Sequence, residues 1–489
     1  DVVTASLSTT QTKTVTIKNK LATTSTIIAS TPSPEFMTLK GYNSAKSQIV
    51  FTVKNNQGSV VPNTPVSMKF SLANANLYGY SLSPTNATTD ASGNVTVTVN
   101  AGTVPVPVAV KASISGTAIQ TVSQPIGVGT GYPDSDSFSF SADNYSLEGR
   151  SFDGSTSTIT MRLADRFNNP IPDGTKVYFT TEGGSIKGNY TDATTGSTPN
   201  CIISDSTCTA KLTAMSPRPN NGRVTVLAYT EGEESFKDVN GNGVLDESDY
   251  LSSTDMPYFD DISEPFLDEN YDGLYTSGEF FSDLNGNALW TPADGVYKGL
   301  ACADSVISAN KCENSTVQLY SSAEFIFSSI ADNSQIILEQ WNGSKWVSAG
   351  SSLDVSVVGY YRFLPVNIAQ SGTYNPLPSG AQISISTTNG GEIVNGSPVF
   401  MAGNQSQESD AYWAHRADID VQHSTLPDIT GKTATNAIRP YYFYFIIKPE
   451  ATANGKTTGT LTIKATTAAG ASTGGGGSIA ITRDATDNS

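Results

Sequence analysis

The chain has 489 residues and a formal net charge of −17, with 28 Lys and Arg against 45 Asp and Glu. This acidic balance, with no basic patch, argues against nucleic acid or an anionic membrane surface as a partner. No apolar run approaches the roughly 18 residues of a membrane-spanning helix. Ser, Thr, Gly and Asn are abundant and helix-favouring runs are almost absent, which suits strands and turns arranged in about three domains. The chain starts at Asp1 with neither Met nor signal peptide, pointing to a mature or excised product.

Taken in order, residues 1–33 are an N-terminal strand segment. One alternating strand is predicted over residues 13–19, with Val15 and Ile17 on one face and Thr14, Thr16 and Lys18 on the other. Three roles fit it: the last strand of an upstream domain, the first strand of the next, or an exchange strand that completes a neighbouring molecule. A first domain follows over residues 34–130. Ile49, Phe51 and Val53 alternate inward, then Val66, Met68 and Phe70, then Val95, Val97 and Val99. Short strands bounded by turn residues at intervals of about 8–12 predict a β-sandwich.

The pattern then returns. Residues 47–66 match 155–177, with Ile49, Phe51 and Val53 against Ile159, Met161 and Leu163, and Pro62 against Pro172, all displaced by 110. A fainter third copy pairs residues 174–186 with 380–393. Three copies of one module follow, over residues 34–130, 131–330 and 331–489. The strand–turn–strand punctuation, the P-x-G-T-x-V-x-F shape and the TD-x-x-G turn resemble the bacterial immunoglobulin-like domains of invasin and intimin type. The resemblance covers most of residues 34–230 and is looser after 330. It implies an all-β fold of tandem immunoglobulin-like β-sandwiches on a bacterial cell surface or extracellular structure, and it brings no catalytic residue with it.

In the second module, residues 222–236 read as the penultimate strand and 315–329 as the closing one, so the block between them is an insertion in the last hairpin. In the third, Leu461, Ile463 and Ala465 face Ile479 and Ile481, and residues 438–449 read as a central strand buried on both faces. Trp341, Trp346, Tyr360, Tyr361, Tyr412 and Trp413 either fill the sandwich core or stack on sugars.

The insert holds most of the charge, with 17 acidic residues and one Lys between Glu231 and Val296. Such a density is either a disordered acidic spacer or folds around cations, and the spacing decides for cations. Acidic or amide side chains occupy loop positions 1, 3, 5 and 12 in Asp238, Asn240, Asn242 and Asp249. They do so again in Asp268, Asn270, Asp272 and Glu279, and in Asp283, Asn285, Asn287 and Asp294. This is the oxygen-ligand spacing of a calcium loop. The period is 15 residues, and a fourth, damaged copy keeps Asp255 and Glu264 but has Ser253 and Pro257 at positions 1 and 5. Position 14 is apolar in every copy, as Leu251, Phe266, Phe281 and Val296.

A 12-residue loop in a 15-residue period leaves no room for flanking helices, which excludes EF-hands and predicts a ladder of loops around about three calcium ions over residues 236–296. Loop 283–294, with Ala288 at position 6 and Pro292 inside it, is expected to be the weaker or irregular one.

Short separations favour disulfides Cys201 to Cys208 and Cys302 to Cys312, the second closing the insert and stabilising it by roughly 2–3 kcal/mol in the entropic account. Disulfides and calcium loops together point outside the cytosol. No catalytic motif is found. The two histidines, His415 and His423, sit near Asp418 and Asp420, which read as polar strand positions. The expectation is a non-enzymatic, extracellular structural or adhesive protein. It would be a calcium-stiffened stalk or the subunit of a surface filament, with protein subunits, a cell-surface receptor or a glycan as partners. A homopolymer through strand addition is included in this reading. The alternative is a carbohydrate-binding accessory region of a secreted enzyme.

Overall fold

The computed structural model describes residues 2–8, 11–16, 24–60, 66–73, 79–189, 200–249, 259–330, 334–388, 391–394, 399–401, 442–449, 457–466 and 478–487. The chain is nearly all β, as its β-branched alternation requires. Its only described helices are a 3₁₀ turn, Ser135–Ser137, and a short α-helix, Asp304–Ser308. Among the described residues no helix is long and apolar enough to cross a membrane.

The second module shows the plan. One sheet runs Phe138–Ala142, Thr156–Leu163, Thr207–Thr213, Ser185–Gly188. The other runs Ser146–Glu148, Val317–Ser328, Arg223–Gly232, Lys176–Thr181, Asn200–Ile202. Ile159, Met161 and Leu212 from the first sheet meet Val177, Val224 and Phe325 from the second in one buried cluster. Alternation with period two therefore sends one half of each strand into the core.

The same plan closes all three modules with a parallel pair. Phe36–Thr38 lies beside Gly127–Gly129, Ser146–Glu148 beside Val317–Ser328, and Ser352–Asp354 beside Ser478–Asp487. Separate clusters form around Ile49, Phe51 and Val97 in the first module and around Tyr361, Phe363 and Ile463 in the third. The alternating residues expected to point inward do so: Ile49, Phe51, Val53, Met68, Phe70, Val97, Ile159, Met161 and Leu163 are all buried.

At the N-terminus, Gln11–Thr16 pairs with Val2–Ser8 in a two-stranded sheet. The first strand of the neighbouring sandwich is instead Thr24–Ala29, which pairs with Lys46–Asn55. That removes one of the three roles expected for the early strand. In the third module Ala465 faces Ile479 and Ile463 faces Ile481. Phe443–Lys448 is central in its sheet but buried on one face only: Phe445 and Ile447 point inward, while Tyr444 and Ile446 are half-buried on the other.

Strands Arg223–Gly232 and Val317–Ser328 pair rung for rung from Arg223 with Ile326 to Gly232 with Val317. The acidic block leaves and re-enters the second module at that last rung. Cys201 is bonded to Cys208 and Cys302 to Cys312, with Cα separations of 5.7 and 6.5 Å.

Candidate metal centre

Three loops of the insert share one backbone shape. Positions 4 and 6 take left-handed φ angles in each: Gly241 and Gly243, Tyr271 and Gly273, Gly286 and Ala288. Glycine adopts this region freely and other residues at a cost. Ala288, at φ 60, follows the same path as the glycines, so the first half of loop 283–294 keeps the shared turn without a glycine at that position.

The side chains explain the shape. The carboxylate at position 1 accepts the position-6 N–H at 2.7 Å in Asp238, 2.8 Å in Asp268 and 2.8 Å in Asp283. Asn240, Asn270 and Asn285 at position 3 accept the position-5 N–H at 2.9, 2.9 and 3.0 Å. Asn242, Asp272 and Asn287 at position 5 accept the position-7 N–H at 2.7, 2.8 and 2.7 Å. Each amide of Asn240, Asn270 and Asn285 also donates to position 9, which is Asp246, Thr276 or Thr291. Position 9 was not among the residues expected from the sequence, although the same 15-residue period marks it.

A closing carboxylate completes each cage by accepting the N–H groups of positions 2 and 9. Asp249 does so from Val239 and Asp246, and Glu279 from Glu269 and Thr276. In the third loop the closing group is Glu264, whose two oxygens accept Leu284 at 3.1 Å and Thr291 at 2.9 Å. Asp294, assigned to that place by spacing, is exposed and bonds Lys298 Nζ at 2.8 Å. The three closing residues are buried, at 1% exposure for Asp249 and 9% each for Glu264 and Glu279.

The damaged copy therefore yields no loop of its own through Glu264; it lends that carboxylate to another loop. Its other retained residue, Asp255, lies outside the described residues, as do Leu251, Ser253 and Pro257. The uniform ladder is corrected accordingly. Loops 268–279 and 283–291 form an interlocked pair, bridged at Phe266 and Phe281, with Tyr275 and Trp290 stacked at 4.8 Å. Loop 238–249 sits apart, its Leu245 in a small core with Phe259, Tyr297, Val306 and Cys312.

The insert is seated on the outer face of the second sandwich. Thr225 Oγ1 donates to the Asp268 carbonyl, Tyr271 donates to Glu182, and Ser263 bonds Tyr320. Burial pushes Glu182 and Glu324 on that face up to about 7. Strand Arg223–Gly232 is consequently buried on both faces, Leu227 included.

The donors of the three loops are oxygens alone, which suits a hard cation such as calcium and excludes a zinc-type centre. Among the described residues no three His, Cys, Asp or Glu side chains converge into a compact metal cluster. The loops interleave carboxylates with amide and hydroxyl oxygens instead. A carboxylate oxygen that accepts an N–H keeps a lone pair for a cation, so cage and ion are compatible. His415, His423, Asp418, Asp420, Tyr412 and Trp413 lie outside the described residues.

The sequence matches no protein-family model and no curated protein. Similar solved structures exist. FdeC, an Escherichia coli adhesin, is 12% identical over 95% of this chain and 99% of that one, with a TM-score of 0.27. The D0–D1 domain of intimin is 20% identical over 40% of this chain and 86% of that one, at 0.19. A C-terminal intimin fragment in complex with the intimin-binding domain of the translocated intimin receptor is 13% identical over 42% and 59%, also at 0.19. Domains 5–6 of the S-layer protein SbsC and part of a β-glycosidase from Bacteroides vulgatus are also similar, at TM-scores of 0.18 and 0.17. The fold class itself stands on the strand order and register described above.

Proposed function

We propose that the chain is part of an extracellular or cell-surface adhesive stalk, in which tandem immunoglobulin-like modules are stiffened by an insert that holds about three calcium ions. The observation that carries this reading is the threefold repeat of one oxygen-lined cage, built from the same loop positions each time. Asp238, Asn240, Asn242, Asp246 and Asp249 would hold the first ion. Asp268, Asn270, Asp272, Thr276 and Glu279 would hold the second, and Asp283, Asn285, Asn287, Thr291 and Glu264 the third. The ions would supply charge neutralisation, since carboxylates at this density repel one another when bare.

Titration calorimetry on the full chain should give a stoichiometry near three, and EDTA should expose residues 236–296 to protease while the sandwiches survive. Absence of calcium heat together with an unchanged digest would sink the calcium reading. For an adhesive role, receptor binding of the kind the intimin fragment has for its partner is the model, and a cell-adhesion assay tests it.

A filament joined by strand addition is the other structural version. Among the described residues, strand Gln11–Thr16 pairs with Val2–Ser8 alone, and its other edge is the one a second chain would take. Light scattering that finds only monomers rejects it.

The glycan-binding alternative is favoured by one observation. The third module's aromatics split by register: Tyr361, Phe363 and Phe445 point inward, while Trp341 and Trp346 form a pair at 5.5 Å on the outer face, with Arg362 over Trp346 at 4.7 Å. Ring faces can stack on sugars. A glycan array without hits removes this alternative.

A further inference from the structure

We infer that loop 238–249 locks the first module to the second, so that calcium in this one loop sets the stiffness of that joint and leaves the joint between the second and third modules unaffected. The inference rests on the calcium reading above and adds where the ion acts.

Three parts of the chain meet at the loop. A Cβ on Gly243 would stand 2.6 Å from the Thr103 carbonyl oxygen and 3.3 Å from Val104, so the loop's sharp turn presses directly on the first module. The Gly243 carbonyl also accepts Nη2 of Arg166, a second-module side chain held between the rings of Phe167 and Phe236, 4.9 Å from each. Nε and Nη1 of Arg166 are buried with no hydrogen-bond partner among the described residues. The carbonyl that the loop presents is therefore one support of this buried charge, beside the nearby carboxylate of Glu233.

Beside it, Tyr42 of the first module donates to both oxygens of Glu233 at 2.9 Å, and the same carboxylate accepts the Leu300 N–H at 2.6 Å. Leu300 and Ala301, from the end of the insert, belong to the apolar cluster of the first module. They are held there by the loop, because Leu245 accepts the Ala303 N–H at 2.9 Å and donates to the Ala301 carbonyl at 2.8 Å. If Asp238, Asp246 and Asp249 repel and the loop opens, Gly243 and Leu245 move together, and the contacts of Gly243, Leu300 and Ala301 with the first module go with them. That leaves the joint only the Thr130 N–H on Asp165, the Tyr42 bond to Glu233 and the packing of Phe167.

The other joint uses none of this. Ser146 Oγ donates to the Leu377 carbonyl, Ser328 Oγ to that of Pro376, Asn375 Nδ2 to that of Asn221, and Arg150 to Asn367. No residue of the insert takes part in these bonds.

The test is made on the full chain with nitroxide labels at the exposed positions Lys111, Lys211 and Lys464, introduced in pairs as Lys111→Cys with Lys211→Cys, and Lys211→Cys with Lys464→Cys. Distance distributions are recorded with calcium and with EDTA, and calcium stoichiometry is measured on the same samples. We expect EDTA to broaden the 111–211 distribution about twofold and to leave the 211–464 distribution unchanged. The substitution Arg166→Leu should broaden the 111–211 distribution in calcium with the stoichiometry kept, which separates the joint from the ion site. Calcium uptake with an unchanged 111–211 distribution overturns the inference alone, as does equal broadening at both joints. No calcium uptake at all overturns the inference and the calcium reading together.

Discussion

Glu264 takes the closing role that spacing assigns to Asp294. Glu264 is buried and takes two N–H groups of loop 283–291, whereas Asp294 is exposed beside Lys298. Glu264→Gln should therefore lower the calcium stoichiometry by one, and Asp294→Asn should leave it unchanged. Calorimetry on the two variants checks this, and the opposite ranking would restore the spacing rule. Nothing local marks Glu264 for the task, since it lies upstream of the loop it closes and only the fold brings it there. The loop residues at positions 1, 3 and 5 were legible because each is fixed by the turn immediately following it. Burial also gives Glu182 and Glu324 their unusual acidity, each at about 7. The folded state then keeps protons that the unfolded chain has already released. The associated stability is complete below the ordinary glutamate range and is lost as pH rises towards about 7. In calcium-free buffer the melting temperature should fall between about pH 5 and pH 8, and Glu182→Gln should flatten the trend. A melting temperature that climbs over this interval contradicts the assignment.

Among the elements, strand Arg223–Gly232 is the most informative. Val224, Val226 and Ala228 face the sandwich core, and Leu227 on the other face is fully buried as well. On the outer face only Leu227 and Tyr229 are apolar, between Thr225 and Glu231, so the sequence carried just a faint sign that something covers that side. What covers it could not be read, because the insert docks through side chains widely scattered along the chain, from Glu182 and Thr225 to Tyr271 and Tyr320. Calcium removal should uncover this face. Binding of the dye ANS is expected to rise in EDTA and to rise less in Leu227→Ser; unchanged fluorescence would mean that the insert stays seated without its ions.

Across the whole molecule, the modules were the most legible feature. Alternating apolar residues 110 positions apart predicted equivalent strands, and Ile49, Phe51 and Val53 occupy the same place in the first sandwich as Ile159, Met161 and Leu163 in the second. Period-two patterning survives divergence because a shift of one residue would turn the whole strand inside out. The joints were not legible, since Tyr42, Arg166, Glu233 and Gly243 are distant in sequence and share no periodicity. Heating in EDTA should give an early transition for the insert and separate later ones for the sandwiches, whereas a single transition in calorimetry would show that the insert and modules unfold as one unit.

The rung that joins Gly232 to Val317 has a mechanical consequence. Because the insert departs and returns at neighbouring points of one ladder, tension drawn along the chain passes across those rungs and does not stretch the block between them. The acidic block hangs beside the load path. Its contacts with the first module, through Gly243 beside Thr103 and through Leu300 and Ala301, act sideways as a brace. Pulling would then find the hairpin first, and the cages would keep their shape until the second sandwich itself gave way.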